Sequence, residues 1–557
     1  MVNELDIRTP AGGVVAADGG TTLRPSAVLD TAHLGDIHGA FGTVRQHDVA
    51  PRRSWRARFL TLLAIMGPGL IVMVGDNDAG GVATYAQAGQ NYGTSLLWTL
   101  LLLVPVLIVN QEMCVRLGAV TGVGHGRLIL ERFGKLWGAF SVGDLFILNF
   151  LTLVTEFIGI SLALGYFGIS PLVSVPVAAV ALIAVTVTGS FRRWERFMYA
   201  FMMLNLVAIP LALIVHPDFG MVVHDTLAPG VQGGLDGTAL LLIISIVGTT
   251  VAPWQLFFQQ SNVIDKRITP RWINYERWDT VIGSLVTELG AAALLIAAAF
   301  GFAGTELAGQ FSDAGAVAAG LAQVVGPAAG SLFAVFLLDA GIIGAVAVTL
   351  ATSYAFGDVF GMRHSLHRGV AEAKGFYSIY AALVAAAAGI VLIPNAPLGL
   401  MTMAVQALAG VLLPSATVFL LLLCNDRDIL GPWTNPRWLN ILATVIVGVL
   451  LLLSLVLVVT TLFPDVDATL VTAGLGGVLT LGMLGLGVLE MRTLRREDPL
   501  AGLALDRSTW RMPPLAEVPR PEWSTSRKLG MLALRGYLLV AAALLVVKVV
   551  QLALGQP

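Results

Sequence analysis

The chain has 557 residues, of which 56% are hydrophobic and only 12% are charged, and its mean hydropathy is +0.81. This composition excludes a soluble globular fold and indicates an integral protein of the lipid bilayer. The net charge of −2 does not point to a nucleic-acid partner. The two cysteines, Cys114 and Cys424, provide neither a disulfide framework nor metal-thiolate spacing, and we interpret them as packing residues.

The chain begins with a polar segment, residues 1–57, which is rich in Gly, Thr and Asp and lacks the apolar stretch of a cleaved signal peptide. We expect this segment to form a disordered cytoplasmic tail. Its histidines, His33, His38 and His47, are interpreted as incidental and not as metal ligands.

Apolar runs of about 20 residues, bounded by charge, Pro or Gly, occupy most of the remaining chain. They predict an all-α membrane protein with thirteen spans, or twelve in an alternative count, near residues 59–90, 94–120, 140–168, 171–190, 195–216, 237–264, 279–303, 327–358, 376–394, 397–424, 436–463, 467–491 and 529–553. We assign residues 58–465, with about eleven spans, to a core domain. Residues 466–557 add further helices around an irregular cytoplasmic loop at 493–528.

Lys and Arg are distributed unevenly among the connecting segments. They precede span 1 and follow spans 2, 4, 6, 8, 10 and 12, whereas the alternate connections contain none. Because basic residues concentrate on the cytoplasmic side, the alternation predicts a cytoplasmic N-terminus in a multi-pass protein of the cell membrane. Spans 1–5 and 6–10 then have opposite topology, which is the LeuT-like arrangement of transporters built from inverted repeats.

Such an architecture predicts interruptions at equivalent places in the two halves. Span 1 contains Gly-Asp-Asn-Asp-Ala-Gly-Gly at residues 75–81, and span 6 contains Gly-Thr-Thr-Val-Ala-Pro-Trp-Gln at residues 248–255. A carboxylate inside the bilayer is costly unless it faces water, a partner or an ion. We therefore interpret Asp76 and Asp78, with carbonyl oxygens freed by unwinding, as a cation site. The alternative is that both carboxylates only cap the second half-helix.

With Gly67-Pro-Gly69 before it, the first break resembles the first helix of the Nramp divalent-metal transporters, whose signature is Asp-Pro-Gly-Asn. Asp78 falls on the family's metal-binding Asp, and Ala252-Pro-Trp-Gln255 stands in place of the family's Met-Pro-His-Asn. Gln406 in span 10 and Thr155-Glu156-Phe-Ile-Gly in span 3 also match family positions. The resemblance covers about residues 58–465 and implies a non-enzymatic carrier of divalent metal ions that works by alternating access.

The break and the resemblance together assign two sets of residues. The predicted metal site consists of Asp76, Asp78, Gly81, Thr249, Ala252, Gln255 and Gln406. The predicted permeation path or gate consists of Glu156, Trp254, Gln259, Glu288 and Asp339. For Glu288 and Asp339 the alternative is structural pairing with Lys or Arg at the cytoplasmic mouth, and for Trp254 it is ordinary packing.

Two departures from the family pattern concern the choice of ion. Gly81 replaces a metal-binding Asn, and Ala252 replaces a metal-binding Met. A thioether favours manganese, iron and softer metals, whereas Mg²⁺ prefers oxygen ligands and keeps several waters. A roomier all-oxygen site favours partly hydrated Mg²⁺, with Mn²⁺ as a further substrate. The alternative is that the small residues only reflect helix packing.

Proton coupling has few carriers in this sequence. Leu153 replaces an Asp of the family, and Trp254 and Gln259 replace its two His of span 6, so groups that titrate between about pH 5 and 8 are missing. This pattern resembles the Nramp-related magnesium transporter branch, which implies uncoupled transport, although Glu156 is retained. A proton-coupled manganese or iron transporter is the first alternative. A sodium-coupled organic-solute transporter and a channel or metal sensor are the others.

No Gly-rich phosphate-binding loop with Lys-Ser/Thr occurs in the chain. We therefore expect no nucleotide partner and no cofactor, and we expect the metal ion to be the transported substrate.

Overall fold

The computed structural model describes residues 28–394, 396–463, 466–493, 507–519, 521, 530–532 and 534–539. These residues form helices joined by short connections, and a single two-stranded antiparallel sheet lies near the N-terminus of this described part. The prediction of an all-α membrane protein is confirmed.

The helices keep the numbers of the predicted spans. In the first half, they are span 1 (Trp55–Ile65, Pro68–Val74 and Ala79–Tyr92), span 2 (Leu97–Thr121), a connecting helix (His125–Phe133), span 3 (Lys135–Tyr166), span 4 (Pro171–Thr186) and span 5 (Phe191–Leu204, the 3₁₀ turn Asn205–Val207 and Ala208–Ile214). We call Trp55–Ile65 with Pro68–Val74 half-helix 1a, and Ala79–Tyr92 half-helix 1b.

The second half continues with span 6 (Gly237–Thr250 and Pro253–Asp265), span 7 (Ile273–Phe302), span 8 (Pro327–Phe360), span 9 (Lys374–Val391) and span 10 (Leu398–Cys424). We call Gly237–Thr250 half-helix 6a and Pro253–Asp265 half-helix 6b. Connecting helices are Phe219–Leu227, Ala314–Val324 and Arg427–Leu430, and spans 11 and 12 are Arg437–Leu462 and Ala468–Thr493.

Nine helices of the described part are long and apolar enough to cross a membrane, and the bent pair that forms 1a passes the same test jointly. Span 4 is a shorter helix of 16 residues. Predicted span 13, residues 529–553, lies mostly outside the described residues. The count of thirteen spans therefore stays a prediction.

Half-helix 1a bends by 56° between Ile65 and Pro68. Gly67 has a φ of 153°, which a residue with a side chain rarely adopts, and Pro68 takes the first helical position, where its missing N–H has no role. The backbone N–H groups of Gly67 and Gly69 both donate to Oδ2 of Asp279 in span 7, at 2.9 and 2.7 Å. The bend is thus held by a carboxylate of a neighbouring helix.

The connections that carry Lys and Arg gather at one end of the bundle. Arg132, after span 2, binds Asp426, after span 10, at 2.7 Å, and Gly189, after span 4, lies against Gly369, after span 8. We call this end the basic face, and it comprises the segments 122–134, 187–190, 266–272, 361–373 and 425–436.

The N-terminal segment is folded where the structure describes it. Residues 31–33 form a 3₁₀ turn, and the strands Ile37–Gly39 and Gly42–Val44 pair in antiparallel register. Both strands pack against half-helix 1a. The prediction of a disordered tail is wrong for residues 28–44, and residues 1–27 lie outside the described part.

Part of the C-terminal loop also lies on the basic face. The backbone N–H of Met512 donates to the carbonyl of Val120 at 3.1 Å, and the indole N–H of Trp433 donates to the carbonyl of Arg507 at 2.8 Å. Residues 507–519 are irregular, as predicted for this loop, except for one 3₁₀ turn. They tie the end of span 2 to the connection after span 10.

Candidate metal site

Span 1 is interrupted where the sequence predicted. Its first half ends at Val74, and half-helix 1b begins at Ala79. Asp78 is the N-cap of 1b, and its Oδ1 accepts a hydrogen bond from the N–H of Gly81 at 2.6 Å. The alternative of a capping role is thus correct for Asp78. It does not exclude ion binding, because an ionised carboxylate offers about four acceptor positions.

Span 6 is interrupted between Thr250 and Pro253. Pro253 takes the first position of 6b, where its missing N–H leaves no intrahelical bond unmade. Ala252 precedes it in extended conformation, with φ −80° and ψ 145°, and provides no side-chain cap. A side-chain acceptor would normally satisfy the free N–H groups of this helix end, so the first turn of 6b remains available to other acceptors.

Gln255 connects the two breaks. Its Nε2 donates to Oδ1 of Asp76 and to the carbonyl of Thr250, the latter at 3.3 Å. Its Oε1 accepts from Nε2 of Gln111 in span 2 at 3.2 Å. Asp76 is fully buried, and its Oδ2 has no hydrogen-bond partner among the described residues. A buried carboxylate oxygen without a donor is costly, and a bound cation would satisfy it.

Gln406 and Thr249 lie against the first turn of 1b. A methyl group on Gly80 would lie 1.6 Å from Nε2 of Gln406, and one on Gly81 would lie 3.1 Å from Oγ1 of Thr249. Both of these side-chain atoms are buried and, within the described part of the chain, lack a partner. The oxygen and nitrogen of a side-chain amide are told apart by their hydrogen bonds, and Nε2 of Gln406 has none here. Rotation of this amide by half a turn would present its oxygen to an ion beside Asp78.

Glu156 of span 3 lies at the N-terminus of 1b. Its Oε2 accepts the backbone N–H of Ala79 at 3.0 Å, and the residue is fully buried. A methyl group on Gly344 of span 8 would lie 2.5 Å from this oxygen and 2.9 Å from Cβ of Asp78. Glycine at 344 therefore allows two carboxylates to approach the positive end of the same half-helix.

Replacing Glu156 by Ala is expected to lower the free energy of unfolding by about 1–3 kcal/mol, because the buried N–H of Ala79 loses its acceptor. Replacing Glu156 by Gln keeps an acceptor of the same reach and is expected to cost less than about 1 kcal/mol. Denaturant unfolding in detergent measures both. Equal losses in the two variants would contradict the assigned hydrogen bond.

The predicted wall and path residues of 6b are buried. A methyl group on Gly75 would lie 3.4 Å from Cη2 of Trp254, so the indole ring borders the start of the span 1 break. Gln259, one turn further along 6b, is fully buried, and neither of its amide atoms has a hydrogen-bond partner among the residues described. Trp254 thus borders the break and also packs against Phe258, so the wall interpretation and the packing alternative both stay open. Gln259 is a polar group between the break and the basic face.

The two remaining predicted acids differ in position. Asn77 donates to the carbonyl of Thr287 in span 7 at 3.0 Å, which brings the adjacent Glu288 within electrostatic range of Asp76. Asp339 accepts instead from Nδ2 of Asn205 in span 5. The alternative pairing with Lys or Arg is not found for either acid in the described part of the chain. The structure therefore places Glu288 near the break, whereas Asp339 lies against span 5.

Three polar contacts at the site were not predicted. Two of them are the contacts of Gln111 with Gln255 and of Asn77 with Thr287 described above. In the third, the hydroxyl of Tyr85 in 1b lies 2.8 Å from Oγ1 of Thr250 in 6a. Gln111 could have been found from the sequence, because Asn110-Gln111 interrupts an otherwise apolar run. Polar groups within spans are costly unless they have a role.

A small cavity adjoins the site. It is lined by residues of 1b, of spans 3, 8 and 10 and of the segment before Ala314–Val324, among them Ala79, Thr155, Leu162, Phe311, Asp313 and Thr402. Asp313 belongs to a connection opposite the basic face. The cavity therefore extends from the neighbourhood of Asp78 towards that opposite end.

Within the described residues, no three His, Cys, Asp or Glu side chains converge closely enough to hold a metal by themselves. The donors around the break are instead carboxylates supplemented by amide, hydroxyl and backbone oxygens. Two interrupted helices with carboxylates between them, in halves of opposite topology, define a membrane transporter with the LeuT-like fold.

The chain belongs to the Nramp family of divalent metal transporters. Residues 69–460 match the family model described as natural resistance-associated macrophage protein-like. Divalent metal cation transporter MntH of Xanthomonas campestris pv. campestris is 30% identical over 416 residues, which cover 71% of this chain and 90% of the relative. MntH of Xylella fastidiosa strain Temecula1 is 28% identical over 444 residues, covering 77% and 90%.

A solved structure has the same fold. The Eremococcus coleocola manganese transporter, in complex with an aromatic bis-isothiourea substituted compound, aligns with a TM-score of 0.60 at 20% sequence identity. The alignment covers 80% of this chain and 97% of that one. The predicted fold class is confirmed.

Proposed function

We propose that this chain carries hard divalent cations, Mg²⁺ first and Mn²⁺ as well, across the cell membrane by alternating access at the two breaks. The observation that carries this proposal is the donor set. Neither residues 75–81 nor residues 248–255 contain Met, Cys or His. The groups nearest Asp78 are oxygens and amides, which Mg²⁺ prefers.

The space around Asp78 supports a partly hydrated ion. Gly81 and Ala252 take positions where the family carries larger ligands, and neither supplies a side-chain donor. Mg²⁺ loses water reluctantly and is commonly held by one or two carboxylates plus waters. We propose Asp78 as the principal ligand, with Asp76, Thr249, Gln255 and Gln406 contributing directly, through water or through the backbone.

A proton-coupled manganese or iron transporter is the second candidate, and the comparisons favour it. The relatives are named divalent metal cation transporters, and the similar structure is that of a manganese transporter. Oxygen ligands also accept Mn²⁺. We nevertheless propose uncoupled transport, because Leu153, Trp254 and Gln259 cannot exchange protons near neutral pH.

The proposed orientation places the basic face in the cytoplasm. Lys and Arg occur in each of its connecting segments except 187–190, which Arg192 and Arg193 follow directly. Positive residues near span ends are retained on the cytoplasmic side. The cavity beside Asp78 would then open towards the outside, and an incoming ion would leave past 6b.

Uptake into liposomes that contain a magnesium dye and a pH dye tests this function. We expect Mg²⁺ and Mn²⁺ to enter down their gradients, saturably, without acidification of the lumen. Entry of Mn²⁺ with acidification and without Mg²⁺ entry would contradict the proposal and establish the second candidate. Empty liposomes serve as the control.

A further inference from the structure

Residues 28–44, which we call the N-terminal strap, are bonded to the connection after span 8. Oδ1 of Asp30 accepts from NH2 of Arg368 at 2.7 Å, and Oδ2 accepts from the backbone N–H of His364 at 2.9 Å. Although burial acts to raise it, hydrogen bonds from Arg368, Ala32 and His364 lower the pKa of Asp30 to about 2. The pair is therefore charged at neutral pH and mostly shielded from water.

The strap is also bonded to the end of half-helix 6b. Arg267 follows that helix, and its guanidinium donates to the carbonyl of Ala32 at 2.9 Å and to that of Asp36 at 3.1 Å. The imidazole of His33 lies 3.4 Å from Oδ1 of Asp265, the last residue of 6b. The strap thus contacts the half-helix that carries Trp254 and Gln255 at its other end.

A third set of contacts joins the strap to span 5 and half-helix 1a. The N–H of Ala40 donates to Oε2 of Glu195 at 2.5 Å, and Arg196 donates to the carbonyl of Ala40 at 3.1 Å. A methyl group on Gly39 would lie 2.0 Å from the carbonyl oxygen of Ala64, so the hairpin lies directly on 1a. No space remains between them for a side chain.

The partners of the strap fall into two groups. Half-helices 1a and 6b run between the breaks and the basic face, whereas spans 5 and 8 pack against them, span 5 against 1a and span 8 against 6b. Because these elements are packed together, a path for an ion from the break to the basic face requires them to separate. The two groups are bonded directly, since Tyr354 of span 8 and Ser365 after it both donate to Asp265 at 2.5 Å. A segment bonded to both groups adds to this resistance, because its contacts must also break before they separate.

We propose that the N-terminal strap is an intramolecular latch that holds the path from the metal site to the basic face closed. This inference rests on the proposed function, since a closed path matters only if an ion must leave by it. Opening requires the strap to detach from the Arg368 side or from the Arg267 side. The strap sets how often the site is open to the basic face.

Thiol modification of a reporter on 6b tests the latch without any metal. In the full-length chain with Cys114→Ala and Cys424→Ala, Gln259→Cys is exposed to a membrane-impermeant thiol reagent from the basic face. Arg368→Ala and Asp30→Ala are each expected to raise the modification rate about fivefold, the factor that corresponds to losing on the order of 1 kcal/mol of a charged hydrogen bond. The double variant is expected to raise it no further than Asp30→Ala alone, because Asp30→Ala already removes the contact that Arg368→Ala removes.

Arg363→Ala is the matched control. It removes the same charge from the same connection, but Arg363 is exposed and has no ion pair among the residues described. An unchanged rate in Arg368→Ala and Asp30→Ala, an equal rise in Arg363→Ala, or additive effects in the double variant would overturn the latch. If Arg368→Ala does not elute as a folded protein, Arg368→Gln replaces it. If the variants accelerate thiol modification but the protein takes up no Mg²⁺, the proposed function is contradicted and the latch is retained.

Discussion

Replacing Asp78 by Asn is expected to reduce metal flux into liposomes to the level of protein-free vesicles, a loss of at least about 100-fold. Asn caps a helix as well as Asp does, so the hydrogen bond to Gly81 and the start of 1b are retained. Only the negative charge is lost. A divalent cation without its principal carboxylate is not stabilised in a buried site. Dye-based Mg²⁺ and Mn²⁺ uptake measures the effect.

Asp78→Ala provides the comparison that separates capping from ion binding. We expect it to abolish flux as Asp78→Asn does, and in addition to lower the free energy of unfolding by about 1 kcal/mol, the typical value of a lost N-cap. Normal flux in Asp78→Asn with loss only in Asp78→Ala would assign Asp78 a purely structural role. The metal site would then have to lie elsewhere.

Replacing Ala252 by Met is expected to change the selectivity of the transporter. A thioether is a soft ligand, which favours Cd²⁺ and Mn²⁺ over Mg²⁺, and its volume displaces water that Mg²⁺ keeps. We expect the ratio of Cd²⁺ to Mg²⁺ flux to rise at least about tenfold, equivalent to roughly 1.4 kcal/mol. Competition of each metal for uptake measures this ratio.

Ala252→Leu is the matched control, because Leu and Met have similar volumes but only Met has sulfur. We expect Leu to lower the flux of all three metals without favouring Cd²⁺. If Leu and Met change the ratio equally, the size of the pocket and not the ligand type determines selectivity. The absence of a thioether would then not explain a preference for Mg²⁺.

The interruptions of spans 1 and 6 were predictable because their causes are local. Carboxylates inside an apolar run, glycines around them and Pro253 in span 6 each disfavour a continuous helix at their own position. The alternation of basic connections then fixed the relation between the halves. Local signals therefore sufficed for the fold class and for the positions of the two breaks.

The order of the N-terminal segment was not predictable in this way. Residues 28–44 are polar and look like a tail, and their partners are far away in sequence. Asp30 and Arg368 are separated by 338 positions. The composition of a segment indicates whether it can bury its own apolar surface. It does not indicate which charged groups from distant parts of the chain will bind the segment.

The neighbours of Glu288 and Asp339 could not be predicted from the sequence either. Glu288 and Asp339 both lie within apolar spans, and helical periodicity alone does not say which neighbour each one faces. Asp339 faces Asn205 across spans 8 and 5, whereas the contact of Asn77 with Thr287 draws Glu288 to the break. Such distinctions depend on how helices pack.

The most direct test of the account is the location of a bound ion. Crystals of the protein soaked in Mn²⁺ should give an anomalous difference peak at the break between 1a and 1b, within roughly 2.0–2.6 Å of a carboxylate oxygen of Asp78, the range of hard divalent cations. The peak should be absent in Asp78→Asn. A peak that persists in that variant, or an ion found only away from residues 75–81 and 248–255, would contradict the assignment of the metal site.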